Sequence, residues 1–250
     1  MKIRIRFSKT GEMKYIGHLD IMRFFQKAMR RAGIDIAFSE GMSPHMIMSF
    51  ASPLGVGVTS EGEYLDIEVR TPQTSGEMME RLNAVMAEGI RILGCVSIAS
   101  GRASNAMSLV AAADYLVSFD PADAFDEEAF ARFLQQREIM VIKKGKKGER
   151  SLDIRPLILN WQMRGELLWL RLCAGSENNL KCELVLEAFR QFLKRESGAE
   201  QNLKAHFHRL DLYAASGEEG GLISLGDLGR EITDEDVYAF MHAGDDSHES

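Results

Sequence analysis

The chain switches its apolar period between two and about 3.6 in a set order, and few folds accommodate that order. In residues 2–8, Ile3, Ile5 and Phe7 fall on one side and Lys2, Arg4 and Arg6 on the other, as in a half-buried strand. From Leu19 to Ala32 the apolar positions Leu19, Met22, Phe25 and Met29 recur at three- and four-residue steps, which is helical spacing. Gly33 supplies the stop signal. Ile34 to Phe38 alternates again as a second strand. Glu63 to Val69 forms a third, broken by Pro72. Ser75 to Gly89 reads as a helix with Met78, Met79, Leu82, Val85 and Met86 inward, and Ile90 to Ile98 as a fourth strand. The order is β-α-β-β-α-β.

The order recurs. Tyr115–Phe119, Asp126–Gln136, Ile139–Lys143, Leu167–Leu172, Lys181–Lys194 and His206–Tyr213 read as strand, helix, strand, strand, helix and strand. The two halves share topology without residue identity. The expected fold is α+β, two tandem ferredoxin-like units with antiparallel sheets and an acidic C-terminal tail. The first unit covers 1–103 and carries a long insertion loop, 39–62. The second covers 104–215 and carries a basic hairpin, 143–150. The tail, 216–250, is Gly-rich and acidic, with a short helix from Asp234 to Met241 and nine disordered residues at its end.

Composition narrows the function classes. Of the 250 residues 45% are apolar and 27% charged, which is ordinary for a globular protein. No apolar run approaches the roughly 20 residues that cross a bilayer, and the alternating N-terminus does not read as a signal peptide. A cytoplasmic location without membrane contact is expected. Cys95, Cys173 and Cys182 are unclustered and read as buried small hydrophobes. The net charge is −7, but residues 218–250 alone contribute −9, while residues 1–31 carry nine bases and two acids. The acidity belongs to the tail, and a nucleic-acid partner stays open to the body.

Cofactor motifs are missing: there is no Gly-x-Gly-x-x-Gly, Gly-Lys-Ser/Thr, His-Glu-x-x-His, Gly-x-Ser-x-Gly or Cys-x-x-x-Cys-x-x-Cys. No cofactor or metal is expected. Three constellations remain. In the first, His18 stands where a loop enters the first helix, and Arg23, Lys27, Arg30 and Arg31 follow at helical spacing. They form either a solvated face with an Asp20–Arg23 pair or a basic ridge for phosphate. In the second, the Pro- and Gly-punctuated loop carries Ser43 and His45, as a shaped binding loop or a hairpin covering the sheet. In the third, Lys143, Lys144, Lys146 and Lys147 surround two glycines, followed by Asp153 and Arg155 on one side of a strand. This is a soluble turn or a phosphate-neutralising tip. Trp161 and Trp169 are the candidates for base stacking on an exposed sheet face.

Taken together, these stretches resemble one family: radical SAM-linked bacterial proteins of unknown function, fused to or encoded beside a cobalamin-binding-type radical SAM protein. The resemblance lies in Lys14-Tyr15-Ile16-Gly17-His18-Leu19-Asp20 with Arg23, in Phe38-Ser39-Glu40-Gly41 through Ser43-Pro44-His45, in Pro53-Leu54-Gly55, in Ser60-Glu61-Gly62-Glu63-Tyr64, and in Asp153-Ile154-Arg155-Pro156. It spans residues 2–213. Where the family continues with Pro-Lys-Ile-Ser-Phe, this chain has Met46-Ile47-Met48-Ser49-Phe50. Its start is also similar to the first unit of repeat-associated (RAMP-type) RNA-binding proteins, some of which cut RNA.

The resemblance implies a radical SAM protein as partner. With the missing motifs and the basic front, it leads to a non-catalytic accessory module that binds RNA or an RNA-associated substrate. The RNA-binding set is then His18, Arg23, Lys27, Arg30, Arg31, Ser43, His45, Lys143, Lys144, Lys146, Lys147 and Arg155. Two alternatives stand beside it. One is a metal-independent endoribonuclease using His18, His45 and Arg155. The other is a protein–protein scaffold whose acidic tail covers the basic face.

Overall fold

A computed structural model describes every residue except 102–103, 122, 124, 146–147, 177, 199–202, 218–219 and 244–250, and for 143–145 the backbone alone. The disorder expected at the chain's end falls mostly on 244–250, outside the described residues. The chain divides into two compact units, Met1–Val110 with Asp211–Ser250, and Ala111–Leu210. It is a mixed α/β protein with mostly antiparallel strand pairing and, among the described residues, six α-helices. No helix of the described residues is long and apolar enough to cross a membrane.

In the first unit the elements are β1 (Lys2–Lys9), α1 (His18–Arg31), β2 (Met48–Phe50), β3 (Thr59–Glu68), α2 (Ser75–Asn83), β4 (Ile90–Ser97) and a single turn, α3 (Ala106–Leu109). Strand β1 lies between β4 and β3, antiparallel to both, and β2 pairs with β3. Ile3, Ile5 and Phe7 of β1 bury against Phe25 and Met29 of α1 and Met78 and Leu82 of α2. The two amphipathic helices therefore share one face of the sheet. Residues 34–38 differ from expectation. They are extended but make only isolated bridges, Ile36 to Val69 and Phe38 to Met46, because β2 takes the partners on β3 from Leu65 to Ile67.

The second unit begins within β5 (Val110–Phe119) and continues with α4 (Glu127–Leu134), β6 (Met140–Gly145), β7 (Gly148–Asp153), β8 (Ile158–Arg164), β9 (Leu167–Cys173), α5 (Cys182–Ser197) and the start of β10 (Ala205–Ala215). Its strand order is β10-β5-β9-β8, while β6 and β7 pair only with each other. The expected strand from Ile139 is thus one arm of a separate hairpin, and β8 occupies the sheet position. Phe130 and Phe133 of α4 meet Phe189 and Phe192 of α5 in the core, with Phe130 edge-on to Phe189 at 5.0 Å.

The chain then returns to the first unit through the end of β10, β11 (Leu222–Ser224), a 3-10 turn at 225–228 and α6 (Asp234–His242). The helix expected at Asp234–Met241 is α6. Thr233 caps it in a box with Asp236, as a Thr-x-x-acid sequence does. Ile232 is 1% exposed and belongs to the first core. Its N–H donates to Ser75 Oγ at 2.9 Å.

The face of the first sheet away from α1 and α2 is polar. Lys2, Arg4 and Arg6 of β1 stand opposite Glu68, Asp66 and Tyr64 of β3. Arg4, 1% exposed, donates twice to Asp66, at 2.8 and 3.0 Å, and again to the carbonyls of Ser104 and Leu225. Tyr64 donates to Asp211 at 2.5 Å. Burial, then the Asp211 charge, raises its phenol well above the usual 10. Its folded form keeps the proton where the unfolded form loses it, so its stabilisation is whole below pH 10 and is lost as pH rises beyond. Urea unfolding from about pH 8 to about pH 11 is expected to show this decline, and Tyr64→Phe to flatten it. An equal decline in both proteins refutes the assignment.

Candidate functional site

Strand β1 hands the chain to a 3-10 turn, Gly11–Tyr15, which aims α1. Lys9, buried, donates its ammonium to the Ile16 carbonyl at 2.7 Å. The Gly57 N–H bonds the Lys14 carbonyl at 2.8 Å. The family-like stretch 14–20 is thereby fixed while its side chains point outward: Tyr15, Ile16 and Leu19 are exposed. His18 is the first residue of α1, exposed, with its ring edge-on to Phe50 at 5.3 Å. Asp20 and Arg23 pair at 3.3 Å, both about two-thirds exposed. A pair in such a setting contributes only a few tenths of a kcal/mol.

Farther along α1, Lys27, Arg30 and Arg31 come together. With Phe24 they line a groove of about 540 Å³ against Val85, Met86 and Ala87. Arg31 donates to the Val85 carbonyl at 2.9 Å, so its guanidinium is held at the rim. Lys27 and Arg30 have no carboxylate partner among the described residues. Three cations over a half-buried aromatic and aliphatic floor suit an anion with a flat or apolar body. Sequence reading had the cations but missed the floor. Phe24 lies off the Phe25 stripe, and Val85 and Met86 read as interior.

The loop around His45 is ordered by its own side chains. Ser39 Oγ lies 2.8 Å from His45 Nδ1 and accepts the His45 backbone N–H at 3.1 Å. The Ser43 carbonyl is 3.5 Å from the same ring nitrogen. His45 lines a separate cleft of about 330 Å³ with Lys2 and Glu68. His18 is not among the residues that line this cleft. His45 precedes Phe50 by five residues of largely extended chain, roughly 16 Å at about 3.3 Å per residue, and Phe50 is where His18 packs.

In the second unit, Lys143 and Lys144 lie on β6 opposite Arg150 and Glu149; their side chains and residues Lys146 and Lys147 lie outside the described residues. Arg155 faces inward. Its Nε donates to the Leu134 carbonyl at 2.7 Å, at the end of α4, where a cation offsets the helix dipole. Asp153 accepts the backbone N–H groups of Ile139 and Arg155, and its carboxylate makes no ion pair with the Arg155 guanidinium, which the sequence alone places on the same side of a strand. Ile154 is fully buried, so Asp153–Pro156 pins the hairpin to the core. The expected stacking tryptophans are also reassigned. Trp161 packs edge-on against Phe130 at 5.2 Å. Trp169 is 5% exposed, its ring covered by the guanidinium groups of Arg164 and Arg171.

Burial pushes the Cys95 thiol up to about 12 and raises Cys173 and Cys182 as well, which suppresses the nucleophilic thiolate. Among the described residues no three His, Cys, Asp or Glu side chains converge as a metal would need.

Residues 2–182 match a family described as "Uncharacterized protein conserved in bacteria (DUF2344)". No curated protein matches the chain. Among solved structures, a chain of a Cbf5-Nop10-Gar1 complex is 10% identical with a TM-score of 0.43, covering 84% of this chain and 48% of its own. A chain of an H/ACA RNP bound to a substrate RNA containing 2'-deoxyuridine is 10% identical with a TM-score of 0.39, covering 83% and 46%. A chain of an archaeal box H/ACA sRNP Nop10-Cbf5 complex is 12% identical with a TM-score of 0.35, covering 99% and 56%. This chain spans about half the length of those chains.

Proposed function

We propose that this chain, which belongs to the DUF2344 family of uncharacterized proteins conserved in bacteria, is a cytoplasmic RNA-binding module that serves a separate radical SAM enzyme. The groove formed by Phe24, Lys27, Arg30 and Arg31 with Val85, Met86 and Ala87 carries the reading. Its rim neutralises phosphate, and its floor offers a base an aromatic edge and a polarisable methionine. The lysines of the β6–β7 hairpin are the second proposed phosphate contact, and Arg23 lies one helical turn before Lys27 on α1. The radical SAM partner rests on the sequence resemblance.

Strand order supports the architectural part of the reading. The first unit runs β4-β1-β3-β2 and the second β10-β5-β9-β8, each with two helices packed on one face. That order supports reading each as a ferredoxin-like unit. Binding is favoured over cleavage because no histidine lines the groove.

Filter binding to tRNA and rRNA fragments at two salt concentrations tests the proposal. Affinity is expected to fall steeply with salt. The double variant Lys27→Ala/Arg30→Ala is expected to bind roughly tenfold or more weakly, with a salt slope lower by about two. Undetectable or salt-independent binding rejects RNA as the ligand. Failure to co-purify with any radical SAM protein of the same cell rejects the accessory role.

A further inference from the structure

We propose that the cleft beside His45 binds a free α-amino acid as its zwitterion, a site independent of the RNA reading. The cleft, about 330 Å³, is lined by Lys2, His45, Ser49, Glu68 and Asn105, with Met46 and Met48 among its apolar walls. Its volume is at the low end of small-molecule sites.

Lys2 and Glu68 are direct cross-strand partners, a placement that sets Cβ atoms about 4.5–5.5 Å apart. Yet they form no ion pair. The Lys2 ammonium instead donates to the Gly101 carbonyl at 2.9 Å, which leaves it two further protons. The Glu68 carboxylate accepts no side-chain hydrogen bond among the described residues. Its neighbouring charge is the Met1 ammonium, which burial pushes down and Glu68 partly restores. One cleft thus keeps a cation and an anion side by side and unjoined. A zwitterion laid across them, carboxylate to Lys2 and ammonium to Glu68, completes both.

Asp66 also lines the cleft, but its carboxylate is already held by Arg4 and the Ala106 N–H; the other polar groups can donate. Ser39 Oγ accepts from the His45 backbone N–H and lies 2.8 Å from Nδ1; in the tautomer where the hydroxyl donates to Nδ1, the imidazole carries its proton on Nε2. The Asn105 side-chain oxygen is used by the Met107 N–H, which leaves its NH₂ free. The Ser49 hydroxyl has no protein partner among the described residues. A carboxylate accepts from all three, and charge-assisted bonds of this kind are the stronger ones. The methionines adapt to an aliphatic side chain.

Saturation-transfer NMR with the intact protein and the twenty amino acids tests the site, with 4-methylpentanoate and isoamylamine as leucine analogues that each lack one charge. At least one aliphatic amino acid is expected to bind saturably, and the analogues roughly tenfold or more weakly. Lys2→Met and Glu68→Gln should each weaken the amino acid to a similar degree, and Glu68→Gln should remove the preference over 4-methylpentanoate. The analogue comparison on wild-type protein stands even if a variant fails to fold. Equal binding of leucine and 4-methylpentanoate overturns the proposal, as does unchanged affinity in folded Glu68→Gln. The absence of saturable binding by any amino acid at ~10 mM does the same.

Discussion

Arg4→Met is expected to lower the unfolding free energy by about 3–5 kcal/mol, the cost of breaking a buried ion pair from one side. Arg4 is 1% exposed and holds both oxygens of Asp66. Without it the Asp66 carboxylate keeps the Ala106 N–H at 2.7 Å but stays largely buried. The Ser104 and Leu225 carbonyls lose their guanidinium donor. Removing both charges, as in Arg4→Met with Asp66→Leu, should recover much of the loss, because the uncompensated charge is what costs most. Urea unfolding followed by circular dichroism gives both numbers. If the double variant is no more stable than Arg4→Met, the carbonyl contacts outweigh the ion pair.

The second large effect is expected at Gly89, which closes the turn into β4. Its φ of +86° is one that a side chain disfavours, by about 1–2 kcal/mol. A Cβ there would also stand 2.6 Å from the Thr10 carbonyl oxygen and 2.8 Å from Met13 Cγ. The backbone cannot yield easily, because the Thr10 N–H is bonded to the Gly89 carbonyl at 2.8 Å. Adding about 1–3 kcal/mol for overpacking, Gly89→Ala should cost roughly 3 kcal/mol. Gly33→Ala is the control. Its φ is +66°, but the nearest atom to a Cβ is the end of Arg81 at 3.9 Å, so only the backbone penalty remains. Equal losses in the two variants would show that the clash at Thr10 relaxes freely.

The helices and most strands were legible because burial imposes their period. Ile3, Ile5 and Phe7 must face one way, and Phe25, Met29, Met78 and Leu82 must meet them. The misread segments are those whose pairing is set from a distance. Residues 34–38 alternate like a strand, yet nothing local says that β2 reaches β3 first. Residues 139–143 likewise read as a sheet strand, and only the return of β7 makes them a hairpin.

The candidate site divides in the same way. Lys27, Arg30 and Arg31 follow from helical spacing, but their apolar floor comes from a turn more than fifty residues later. Arg155 reads as a free cation in sequence. Its inward turn toward Leu134 depends on where α4 ends. The Lys2–Glu68 pairing needs the register of β1 against β3, which alternation alone leaves open.

The segment that carries Leu225 and Ile232 joins the first unit after the whole second unit has intervened. During synthesis the first unit therefore waits, its Arg4 lacking one carbonyl and its core lacking one isoleucine, until residues 225–232 have been made. The second unit, contiguous from 111 to 210, faces no such delay. A truncation just beyond β10 would leave the intervening unit whole and the surrounding one permanently unfinished.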